Sequence, residues 1–236
     1  MELIKSKWTS EDKKEFSDYL MSIANLDKVD FAKKIINTNK IIIGIPTPEL
    51  KTIAKEIAKG DFMGFLDLQM HDYYENEIIN GLLICKIKDL DIRLKRLTDY
   101  AKSADCWAEI DLIKMKDAKK HAEIVLNYAS DCTKSEYTFV RRLGVIILFE
   151  FVTPEYFDTI VSIVAPLKNE KEYYVNMAVA WLMCETVIKV PEQALDYVSA
   201  EFLNEFTLRK TISKCSDSYR VSDETVDTLR KRIKKQ

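Results

Sequence analysis

The chain has 236 residues, with 47% hydrophobic and 31% charged residues and only five glycines and five prolines. That Gly and Pro share, about 4% against a usual ~12%, excludes disorder, collagen-like sequence and turn-rich β folds, and favours a chain built of helices. Thirty-six Lys and Arg against 38 Asp and Glu leave a net charge of −2, which excludes a uniformly basic coat but not a local basic face.

In chain order, Thr9 or Ser10 can cap a first helix with the apolar stripe Phe16, Tyr19, Leu20 and Ile23. Asp27 can cap a second, running to about Asn37. Ile41 to Pro48 is short, apolar and broken by Gly44 and Pro46, so it reads as a buried loop rather than a strand. Thr47 followed by Pro48 starts a helix to about Lys59. Further helices are predicted at roughly 61–69, 74–87, 89–103, 107–130, 136–150, 154–167, 171–188, 191–203, 205–215 and 222–235. Short connections force antiparallel neighbours. From about residue 74 the helices pair at a period of some 35–45 residues, which points to a HEAT-like α-solenoid. The expected fold is therefore all-α, antiparallel helix pairs with a concave groove, in one domain over 1–236.

Cys85, Cys106, Cys132, Cys184 and Cys215 are scattered, with no Cys-x-x-Cys pair, and read as free thiols of a reducing compartment. His71 and His121 have no partner ligand at helical spacing, so no metal site is expected. The N-terminus lacks a signal-type apolar run, and no stretch approaches the ~20 residues of a membrane span. The expectation is a cytoplasmic protein.

Candidate chemistry gathers in four places. Trp107 and Asp111, at i and i+4, share a helix face. On an unbroken 107–130 helix Asp111 would also fall in line with Ala118, Ala122, Val125 and Ala129. A carboxylate on such a stripe is either paired structurally or functional. Arg141 and Arg142 sit in an apolar helix about 100° apart, so one can face solvent while the other enters a groove or an ion pair. Tyr174, Met177, Ala178 and Trp181 form a stripe that periodicity alone assigns to the core. Residues 205–236 carry nine Lys and Arg, Lys214 and Arg220 among them, against five acids. Their net +4 makes the C-terminal end the basic pole, and Lys114, Lys116, Lys119 and Lys120 add charge near Trp107. A solvated tail helix with cations at its C-terminus accounts for part of this.

In order and spacing, Trp107-x-x-x-Asp111, Arg142 and Tyr173-Tyr174-x-x-Met-Ala-x-Ala-Trp181 resemble the AlkD-like DNA alkylation repair family. Gly44-Ile-Pro-Thr-Pro-Glu-Leu-Lys51 and the tail Leu208–Lys214 through Ser218–Arg220 resemble further segments of that family. The resemblance spans about residues 40–235. It implies a HEAT-like glycosylase that cradles duplex DNA and removes N3- and N7-alkylated purines, without metal or cofactor, as a monomer. Asp111 would be the catalytic carboxylate. Trp107, Trp181, Arg142, Lys114, Lys214 and Arg220 would contact the DNA. The alternatives are a non-catalytic HEAT-repeat module that binds DNA structures or protein partners, and a scaffold with no nucleic-acid role.

Overall fold

The computed structural model describes residues 1–233. Lys234 and Lys235, with the end of the predicted last helix, lie outside the described residues. The chain is all-α, with no strand among the described residues, and it divides into two compact units, Met1–Ile113 and Lys114–Gln236.

The first unit holds α1 (Asp12–Ser22), α2 (Val29–Ile36), α3 (Thr47–Ile57), α4 (Phe62–Asp67), α5 (Tyr74–Ile84), α6 (Leu90–Ser103) and α7 (Trp107–Asp111). Its caps follow local chemistry. The Asp61 and Asp89 side chains accept from the third backbone N–H of α4 and α6, at 3.0 and 2.9 Å. Trp8, Phe16 and Phe65 meet edge to face in the core, with centroids 4.9–5.9 Å apart. Central α5 packs against α3, α4, α6 and α7.

The predicted loop before α3 is present, with Ile42, Ile43 and Ile45 buried. A buried loop must satisfy its backbone. The Glu75 carboxylate, 1% exposed, does so by accepting the N–H groups of Ile43, Gly44 and Ile45 at 3.1, 2.8 and 3.3 Å. Burial pushes the Glu75 pKa up, and those backbone donors offset only part of the rise. Gly44 has φ +81°, and a Cβ there would stand 2.1 Å from the Asn25 carbonyl oxygen.

The second unit holds α8 (Ala122–Thr133), α9 (Thr138–Ile147), α10 (Phe157–Val164), α11 (Tyr173–Lys189), α12 (Pro191–Ala194), α13 (Glu205–Asp217) and α14 (Asp223–Ile233). Here α9, α11 and α13 pack side by side in sequence, with α8 against α9 and α10 against α8. Alternate helices thus form two layers, as in a helical repeat. Residues such as Leu143, Ala178, Leu182 and Met183 are fully buried. Each large apolar side chain so placed contributes about 1.5–3 kcal/mol relative to exposure.

The predicted 107–130 helix is not continuous. It ends at Asp111 after five residues, and the chain becomes helical again only at the 3-10 turn Ala118–His121. Between them Ile113 and Met115 are buried at 3% and 1% exposure, whereas Lys114 and Lys116 are exposed. That alternation is the period of extended chain. Burying both apolar residues outweighs the local helical preference. Asp111 is therefore not in register with Ala118, Ala122, Val125 and Ala129, and it is half-buried at the end of α7.

Candidate nucleic-acid interface

In the first unit, α7 presents Trp107 and Asp111. Five residues cannot hold a helix by their own hydrogen bonds, so its neighbours fix it. Ile110 is fully buried, and the Trp107 indole N–H donates to the Ile35 carbonyl at 3.2 Å. Glu109, also fully buried, accepts from the Lys40 ammonium at 2.7 Å and from the Asp105 N–H at 3.4 Å. Burial raises the Glu109 pKa, while the Lys40 hydrogen bond and charge pull it back. Asp105, Cys106 and Glu109 bring one possible ligand atom each within 4.8 Å of one another. Among the described residues they are the only group that could hold a metal, but Lys40 already supplies the cation at Glu109.

In the second unit, an open cleft of about 460 Å³ is lined by Lys114, Lys116, Phe149, Glu150, Trp181, Glu185, Lys189 and Arg220. Three of the sequence-predicted site residues, Lys114, Trp181 and Arg220, meet here. The Trp181 ring leans on Phe149, with centroids 4.6 Å apart and 55° between planes. Four cations against two acids leave the cleft at +2, although the whole chain carries −2. Glu185 organises one side. It accepts from Arg220 at 2.9 and 3.3 Å and pairs with Lys189 at 3.1 Å. Burial alone would raise the Glu185 pKa, but these two cations hold it below the ordinary carboxylate value.

Arg142 and Lys214 are not among the residues lining this cleft. Arg142 is 4% exposed, with its guanidinium donating to the Tyr174 carbonyl. Its neighbour Arg141 is ion-paired with Glu170, at 2.7 and 3.3 Å. Lys214, half-buried in the last turn of α13, is not among the cleft-lining residues. The Cys184 thiol is held below its ordinary pKa by a hydrogen bond to Cys215, with the charges of Lys214 and Arg220 adding to the effect. The aromatic stripe of α11 also departs from expectation. Tyr174, Met177 and Trp181 are half-buried and only Ala178 is fully covered, because Val175, Val179, Leu182 and Met183 supply the core face.

Lys189 and Phe149 were not legible as site residues. The spacing of Trp181, Glu185 and Lys189, one helical turn each, was the available signal. Nothing local in the sequence marks Lys40, which meets Glu109 from 69 positions away.

The profile of the DNA alkylation repair enzyme family matches residues 16–215, and the chain belongs to that family. Membership supports a role in DNA alkylation repair, with DNA as the substrate class. No curated protein matches the chain significantly. No helix among the described residues is long and apolar enough to cross a membrane.

Proposed function

We propose that the protein is a DNA glycosylase that hydrolyses the N-glycosidic bond of N3- and N7-alkylated purines in duplex DNA. The observation that carries this reading is the cationic, aromatic-walled cleft around Trp181 in a chain of this family. Lys114, Lys116, Lys189 and Arg220 suit phosphate oxygens, and the Trp181–Phe149 pair offers an aromatic face to a sugar or base.

Asp111 is the catalytic carboxylate in this reading, with Trp107 beside it on α7. An alkylated purine carries positive charge and leaves as a neutral base, taking the electron pair of the broken C1′–N bond. Positive charge then builds on the sugar. A carboxylate stabilises it and receives the proton of the attacking water, as in glycoside hydrolysis. Since the leaving group is already activated, the reaction calls for no metal. Trp181, Lys114 and Arg220 contact the DNA, with Lys214 and Arg142 supporting that surface.

The test is release of 7-methylguanine from alkylated duplex DNA by wild type and by Asp111→Asn. Release by wild type that disappears in the variant supports the reading. No release by wild type, with salt-sensitive duplex binding retained, would replace it with a non-catalytic DNA-binding module.

A further inference from the structure

Several polar contacts of α7 and its approach run to one short stretch of chain, beside the bond the Tyr100 hydroxyl donates to the Glu109 carbonyl at 3.2 Å. Besides the Trp107 bond to Ile35, Thr38 donates its hydroxyl to Asp105 at 2.5 Å, and the Asn39 N–H donates to the same carboxylate at 2.8 Å. Lys40 then reaches Glu109 at 2.7 Å and the Ser103 carbonyl at 3.3 Å. Its ammonium also lies 3.7 Å from Glu77, which is 2% exposed. Residues 35–40 therefore grip α7 at its entry, through Asp105, and along its length, through Trp107 and Glu109.

Lys40 is the centre of this grip. Glu109 is the third residue of α7, and its carboxylate both receives the Asp105 N–H and holds Lys40. Rotation or sliding of α7 would have to break that ion pair inside a region where neither acid meets water. An unpaired charge there is costly, so the pair tolerates little displacement.

We propose that Lys40 is a positioning residue, whose ammonium between Glu109 and Glu77 fixes the orientation in which α7 presents Trp107 and Asp111. The catalytic part of this inference rests on the glycosylase reading above. Orientation matters because a misplacement of about 1 Å at a reacting group can lower a rate about 10²-fold.

The test compares wild type, Lys40→Met, Lys40→Arg and the double variant Lys40→Met/Glu109→Gln. The double variant removes both charges, so it separates loss of the tether from a stranded buried carboxylate. The first readout needs no activity. The Trp107 indole N–H resonance, assigned through Trp107→Phe, should move or broaden in Lys40→Met and in the double variant. The Trp8 and Trp181 indoles should stay in place, and Lys40→Arg should restore most of the Trp107 signal. The second readout is single-turnover release of 7-methylguanine. It should fall about 10²-fold in Lys40→Met and in the double variant, with duplex affinity changed less than about twofold. An unmoved Trp107 resonance in the folded double variant overturns the proposal, as does a moved resonance with unchanged release. If wild type releases no base, the glycosylase reading fails, and the Trp107 resonance alone decides whether Lys40 sets α7.

Discussion

Glu185 holds Arg220 through two hydrogen bonds, 2.9 and 3.3 Å, although 35 positions separate them. The pair joins α11 to the turn before α14 and sets one wall of the cleft around Trp181. Glu185→Gln removes one of the two acids there, so the cleft charge rises from +2 to +3. Non-specific duplex affinity at low salt should increase, and the salt dependence should steepen by up to about one unit of log–log slope. Weaker binding at every salt concentration would show that Arg220 must be held by Glu185 to meet phosphate.

Binding of duplex DNA should weaken steeply with salt although the chain is acidic overall. If the four cations of the cleft each neutralise a phosphate, the slope of log affinity against log salt is about −3 to −4. Lys116→Ala and Lys189→Ala should each reduce it by about one. A titration series from low to moderate salt measures this directly, and a flat line excludes the cleft as the phosphate site.

Asp111→Asn should lower the single-turnover rate of base release by about 10²–10³. Duplex affinity should stay equal or tighten slightly, because a negative charge near phosphate is lost while ground-state contacts remain. In the catalytic reading the melting temperature holds, because the charge serves the reaction rather than the fold. A large drop in melting with excision retained would make Asp111 a structural acid.

His71 should titrate above the ordinary histidine value. Its Nδ1 lies 2.8 Å from the buried Glu77 carboxylate, and that hydrogen bond raises the pKa more than partial burial lowers it. Asp72 adds to the rise and Lys40 opposes it. A raised folded-state value means that protonated His71 stabilises the fold fully below about pH 6.5. The contribution fades as pH rises through the folded value. An NMR titration of the ring should show the shift, and Glu77→Gln should bring it back towards 6.5.

Gly44→Ala should destabilise the first unit. The left-handed φ of +81° costs an L side chain about 1–2 kcal/mol. The new Cβ would also meet the Asn25 carbonyl at 2.1 Å, so the loop must shift and loosen its three hydrogen bonds to Glu75. At about 2–4 °C per kcal/mol, thermal denaturation should show a fall of several degrees.

The sequence by itself determined most of the helices, the family and the loop before α3, but it overran at 107–130 and at 191–203, where the α-helix is only Pro191–Ala194. Those signals are local. Apolar residues repeat with the helical period, Asp61, Asp89 and Asn204 cap, and Gly44 and Pro46 break the chain. Trp107, Asp111 and Trp181 could be nominated as site candidates for the same reason, each lying within a short motif. Only the tertiary structure decided what depends on partners distant in the chain. It ended α7 at Asp111, because burying Ile113 and Met115 outweighs one more turn of helix. It gave Arg141 to Glu170 and buried Arg142 against the Tyr174 carbonyl, a choice two adjacent arginines cannot reveal. It brought Lys114, Trp181 and Arg220 to one cleft and Lys40 to Glu109. Helical periodicity says which way a side chain points from its own axis. Which charge it then meets depends on how helices stack, and that is settled by packing across the whole unit.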